Sequence, residues 1–184
     1  MATRLVIDGY GQVELNNVAF RRDGRIEAQY AADSTAFANT KVENGMLLAV
    51  DAVNRKLCIP TDNSLPIALN YSAEHIYDER TPGLKNFALN ATGDFLPRVG
   101  YLAVGDKFTE NCVSYDSSEF ATQTAFVSAL DSIATTALYG GIGSGDGSIL
   151  VSASAPTVGP VLKVIEKTTM PDGQLGIKFQ VIAD

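Results

Sequence analysis

The residues able to do chemistry are few and scattered along the chain. His75 is the single histidine, which excludes a multi-histidine metal site and leaves any nucleophile–base pair to be assembled with Cys58 or Cys112 across the fold. Asp78 with Glu79, and the separated Asp51 and Asp106, sit in turn-like contexts; neither spacing sets a general acid against a general base as glycoside hydrolysis requires. In the run Gly141-x-Gly143-x-Gly145-x-Gly147, Asp146 stands where the dinucleotide fingerprint needs its third glycine, and no Lys-Ser or Lys-Thr follows. A calcium-binding nonapeptide repeat needs Asp where Gly145 stands, and more than one copy. The expectation is a chain with no catalytic residue, no cofactor and no metal. His75 is read as a surface or loop histidine, and the glycine run as a mobile surface loop.

Composition narrows the class of partner. Twenty-one acids against fourteen bases give a net charge of -7, which repels a phosphate backbone, and the densest basic spot is only Arg21-Arg22 with Arg25. That spot reads as an exposed strand end or a subunit contact rather than a nucleic-acid site. No stretch approaches the about 18 apolar residues that span a bilayer, and Met1–Asp8 lacks a basic region followed by an apolar run. Cytosolic synthesis is expected, with Asn70-Tyr-Ser and Asn90-Ala-Thr as chance matches to the glycosylation tripeptide. Cys58 and Cys112 lie in apolar β contexts and read as two buried, reduced thiols rather than a disulfide.

The elements that would position these residues are mostly strands. Val99–Val113 concentrates β-formers around Gly105-Asp106 and predicts a central hairpin, echoed upstream by Gly45–Asp51. Met46–Val50 and Lys56–Ile59 predict a second hairpin that Pro60 ends. Leu5–Ile7 and Val13–Phe20 predict two strands joined at Asp8–Gly11, and residues 21–42 an arm or long loop with at most one helical turn. Further strands are expected at Ile67–Tyr71, Leu84–Leu89, Ser148–Ser154 and Val161–Ile165. The last pairs with Gly176–Ile182 across the Met170-Pro-Asp-Gly173 turn. One helix is expected over about 118–133, with Ser117 or Ser118 as N-cap, Glu119 in its first turn, and Phe120, Thr124, Val127 and Leu130 on its packed face, widened by Phe126 and Ile133. These elements predict an α+β fold, mainly antiparallel β, as a small barrel or sandwich of hairpins with one packed helix. The expected division is an N-terminal hairpin and arm at 1–42 and a β-rich globular domain at 43–184.

Three groups of residues carry a resemblance. Leu102–Asn111, the segment Ile76–Phe87, and Pro160–Ile165 with Met170–Gln174 and Lys178–Ile182 resemble the small structural proteins of tailed bacteriophages, over roughly residues 45–184. The resemblance implies a capsid decoration, or auxiliary, protein: a non-enzymatic virion component made in the host cytoplasm. It would bind the major capsid protein on the outer face of an icosahedral shell and stabilise it, with no nucleic-acid or membrane partner. It would act as a trimer or as a monomer repeated on every subunit. The 21–42 arm would order against the capsid. Rival readings are a tail-tube, connector or head-fibre protein, a carbohydrate-binding module, which the lack of Trp disfavours and seven Tyr keep open, and an enzyme whose polar cluster the fold alone assembles.

Overall fold

The computed structural model describes residues 1–73, 84–91 and 96–184. In chain order they form β1 Ala2–Arg4, β2 Val13–Asn17, α1 Ala19–Asp23, β3 Ile26–Glu27, β4 Ala31–Ala32, β5 Val42–Glu43, β6 Leu47–Asp51, β7 Lys56–Cys58 and β8 Ile67–Asn70. A 3-10 turn at Leu84–Asn86 precedes β9 Ala88–Leu89, β10 Val99–Gly100, β11 Lys107–Glu110, β12 Val113–Asp116, α2 Gln123–Leu130, β13 Tyr139–Gly141, β14 Ile149–Ser152, β15 Val161–Thr169 and β16 Leu175–Ala183. The fold is β-rich α+β, as the alternating patterns predict. An eight-stranded sheet runs β1-β12-β14-β13-β15-β16-β11-β2, a six-stranded sheet β3-β10-β8-β6-β7-β4, and β5 pairs with β9. Most ladders are antiparallel; β12–β14 and β4–β7 are parallel. No closed barrel forms among the described residues, because β1 and β2 end the larger sheet without pairing to each other.

The run Met46–Val50 is apolar without alternation because β6 is covered on both faces. Leu47 and Leu69 join one core with Phe108, Phe126, Ile149, Leu162 and Phe179, whereas Met46, Leu48, Val50 and Ala68 join a second with Phe37, Val42 and Val99. The six-stranded sheet is thus the layer between two cores. Its β6–β7 hairpin and the β15–β16 hairpin both match expectation in pairing and turn. Gly173 takes φ +87 in the second turn and donates to the Met170 carbonyl at 2.8 Å.

Other pairings differ. Val99–Val113 is not a hairpin: β10 belongs to the six-stranded sheet, β11 to the eight-stranded one, and the chain crosses between them at 101–106. Asp106 makes the crossing. Its carboxylate accepts from Ala103 N at 2.9 Å and from Ala19 N at 2.7 Å, serving α1, whose own N-cap, Val18, has no side chain that can bond. Asp106 is buried, so removing it strands two amide donors. Asp106→Ala is expected to lower the unfolding free energy by about 2 kcal/mol in urea titrations, with Asp106→Asn losing less because its carbonyl still accepts. Equal losses from the two variants would contradict this role.

Leu5–Ile7 and Val13–Phe20 do not pair either; β1 and β2 lie at opposite edges of the larger sheet. The linker between them is held by Lys85 instead, whose carbonyl accepts from Tyr10 N at 2.6 Å and whose ammonium pairs with Asp8. Residues 21–42, expected as an arm, are built into the fold: β3 pairs with β10, β4 with β7, and Phe37 is buried in the second core. Sequence periodicity could not reveal this, since two-residue strands are too short to alternate. Leu84–Leu89 is a 3-10 turn plus a two-residue strand rather than one strand.

The packed helix is shorter than expected, Gln123–Leu130, and Thr122 caps it by accepting from Ala125 N at 3.2 Å. Ser118 cannot serve as the cap because its amide and hydroxyl are both engaged by Asp116 in the preceding turn. The packed pair is Phe126 and Leu130, one helical turn apart, with Phe126 stacked at 5.1 Å on Tyr115; Thr124 is exposed. The glycine run is not simply a loop. Gly140 and Gly141 form part of β13 inside the sheet, where a Cβ on Gly140 would lie 2.7 Å from Ile149 and one on Gly141 2.6 Å from Pro156.

Candidate functional site

Of the residues picked from sequence, His75, Asp78 and Glu79 lie outside the described residues. Asp51 and Asp106 are brought into two separate turns. The Asp51 carboxylate accepts from the Asn54 amide at 2.9 Å and from its side chain at 2.7 Å, and those bonds hold Asp51 below the usual carboxylate range. Both cysteines are free; Cys112 is buried and Cys58 half-buried, which corrects the expectation of two buried thiols. Cys58 sits on β7 one residue beyond buried Leu57, so the alternation of the strand turns it away from the second core.

Among the described residues the fold assembles a polar cluster that contains Cys112 but neither Asp51 nor Asp106. Arg4, at the end of β1, donates from Nη2 to Glu43 Oε2 at 2.7 Å and from Nη1 to Asp146 Oδ2 at 3.2 Å, and reaches Cys112 Sγ at 3.3 Å. Glu43 Oε2 also accepts from Gly11 N at 2.6 Å. Asp146 Oδ1 accepts from Ser148 N at 2.9 Å and Ser148 Oγ at 2.6 Å. Burial works to raise the Asp146 carboxyl, yet these bonds and Arg4 together hold it below its ordinary value. The side chains therefore tie four separate pieces of chain to one guanidinium: β1, the 8–12 linker, β5 and the glycine run.

Behind this layer lies Glu110, at the end of β11. It is fully buried, at 0% exposure, and neither carboxyl oxygen has a hydrogen-bond partner among the described residues. Burial pushes its carboxyl well above the ordinary range, and the charge of Arg4 only partly opposes this. Cys112, equally buried, has its thiol pushed up for the same reason. A raised thiol inside the protein is a poor nucleophile. What the cluster does chemically is disfavour the ionisation of one buried acid beside a cation committed to two others. Among the described residues no group of three or more His, Cys, Asp or Glu side chains is placed to hold a metal ion.

The close packing rests on glycine. Gly45 has φ +89, and a Cβ there would stand 2.6 Å from Glu110 Oε2 and 2.7 Å from Cys112 Cβ. Sequence reading missed Arg4, Glu43, Glu110 and Asp146 because they are up to 142 positions apart. One signal was present: Glu110 is in phase with Phe108 on β11, so the alternation that buries the phenyl ring also turns the carboxyl inward.

No protein-family model, no curated protein and no solved structure matches this chain.

Proposed function

We propose that this chain is a non-enzymatic virion structural protein that binds the outer surface of an icosahedral phage capsid and stabilises it, as a decoration protein does. The observation that carries the reading is the presentation of apolar side chains on turns fastened by their own carboxylate hydrogen bonds. Val53 is 92% exposed in the β6–β7 turn, which Asp51 locks through Asn54; Val104 is 62% exposed in the 101–106 crossing, which Asp106 locks through Ala103. A contact side chain that is ordered before binding loses little entropy on docking. A partner lattice multiplies each such weak contact over many copies. Capture of the expanded shell alone then stabilises that shell by mass action.

The test is co-sedimentation with emptied, expanded phage heads that lack the protein. Saturable binding at an icosahedrally sensible copy number is expected, together with greater shell stability and weaker binding by Val53→Asp and Val104→Asp. Both substitutions lie on exposed side chains, so the variants should keep the wild-type unfolding midpoint. A tail-tube or connector role is the second reading, favoured by the β1 and β2 edges of the larger sheet, which no further strand covers among the described residues, since an unpaired edge can take a neighbouring copy's strand. Rings or tubes formed by the protein alone, with no binding to heads, would move the assignment there.

A further inference from the structure

Glu110 belongs to the larger sheet and Gly45 leads into β6 of the smaller one, so the contact of Glu110 with Gly45 lies on the seam between the two sheets. The seam is bridged by Leu47 N, on β6, to the carbonyl of Gly147, between β13 and β14 of the larger sheet, at 2.8 Å, and the linker that leads into β2 is tied to Glu43 of β5 through Gly11 N at 2.6 Å. A carboxyl group placed here without a hydrogen-bond partner among the described residues is costly to ionise, and Leu or Gln would fill similar space without that liability. Among the described residues Arg4 from β1 and Cys112 beyond β11 face it, while Glu43 from β5 and Asp146 from the glycine run are paired with Arg4; its ladder neighbours, Val13 on β2 and Ile177 on β16, are apolar. With Glu110 neutral, Arg4, Glu43 and Asp146 leave one negative charge in the cluster. Ionised, Glu110 makes it two, and among the described residues Arg4 is the one cation of the cluster.

We propose that Glu110 and Arg4 form a proton-operated latch on the seam between the two sheets, closed while the Glu110 carboxyl keeps its proton and loosened when it loses it. In the closed state Arg4 is committed to Glu43 and Asp146. Loss of the proton to solvent leaves a buried carboxylate that competes for the guanidinium, drawing it from Glu43 and Asp146 and freeing the Gly11 linker. The direction with pH follows from proton linkage. The folded chain holds a proton that the unfolded chain has already given up, so stability is highest below the ordinary glutamate range and falls as pH rises above it. One linked proton changes the unfolding constant by up to about tenfold per pH unit across that window. This latch stands independently of the virion reading.

The test is urea unfolding of the full chain and of Glu110→Gln from about pH 5 to about pH 8, a range above the ordinary carboxylate values. The wild-type unfolding constant should rise with pH, and the rise should flatten in Glu110→Gln; contributions common to the two proteins cancel in the difference. Equal pH slopes in the two proteins would overturn the latch. Hydrogen exchange, corrected for intrinsic rate, gives the location: protection at Gly11 and Leu47 should fall with pH in the wild type while the β15–β16 hairpin keeps its own. Uniform loss along the chain would count against a seam. Should Glu110→Gln not fold, carbon-detected NMR of the Glu110 carboxyl in the wild type decides the matter. A carboxyl still protonated at about pH 5 supports the latch, and one already ionised there sinks it.

Discussion

Phe20→Ala is expected to lower the unfolding free energy by about 4 kcal/mol, in the range of a large buried aromatic cut back to a methyl group. Phe20 is 0% exposed and packs at 4.9 Å between ring centroids on Tyr71, which follows β8 of the smaller sheet. It also packs against Gly100 of β10, where a Cβ would stand 2.4 Å from the ring. The ring therefore fastens α1 to the smaller sheet while belonging to the core that the larger sheet encloses. Little can collapse into the space it leaves, because the paired backbone of β10 and the Tyr71 ring hold their positions. A loss of this size is a large share of the stability of an ordinary domain. Urea or thermal unfolding would measure it, and a loss below about 1 kcal/mol would mean that the N-terminal segment is docked far more loosely than its contacts indicate. The same packing makes deletion of residues 21–42 a destabilising change rather than the removal of an arm, since β3, β4 and Phe37 leave with it.

Arg4→Ala should cost about 3 kcal/mol near neutral pH, the order of magnitude found when one partner of a buried ion pair is removed. Glu43 and Asp146 would remain with side-chain exposures of only 16% and 32% and no counter-charge. Solvent reaches Asp146 more readily, so most of the loss arises at Glu43. Lysine cannot replace arginine here. The guanidinium spends two separate nitrogens on two carboxylates, whereas an ammonium is a single point charge, so Arg4→Lys should recover less than half of the loss. Chemical denaturation of the two variants beside the wild type measures both effects. Full recovery by lysine would show that charge alone matters and that the fork geometry does not.

The parts of the fold that residue order determined are those set by local pattern. The β6–β7 and β15–β16 hairpins were legible because apolar runs flank turn residues with defined conformational preferences, Asp51–Arg55 and Pro171-Asp-Gly173. The one amphipathic helix was legible for the same reason, though its start was misplaced when Asp116 took the serine that local chemistry offers as a cap. Composition and charge were equally direct, because they need no neighbours to interpret. What only the tertiary structure decided is which strand lies beside which. Val99–Val113 has the composition of a hairpin and crosses between sheets, since the buried Asp106 carboxylate is engaged by α1 rather than left to a simple turn. The polar cluster was beyond reading from order alone. Arg4, Glu43, Glu110 and Asp146 carry no shared motif, and the cost of burying Glu110 arises only when Gly45 and Cys112 close over it. Burial of charge depends on the summed surroundings of a group in space, and a linear pattern encodes only its neighbours in the chain.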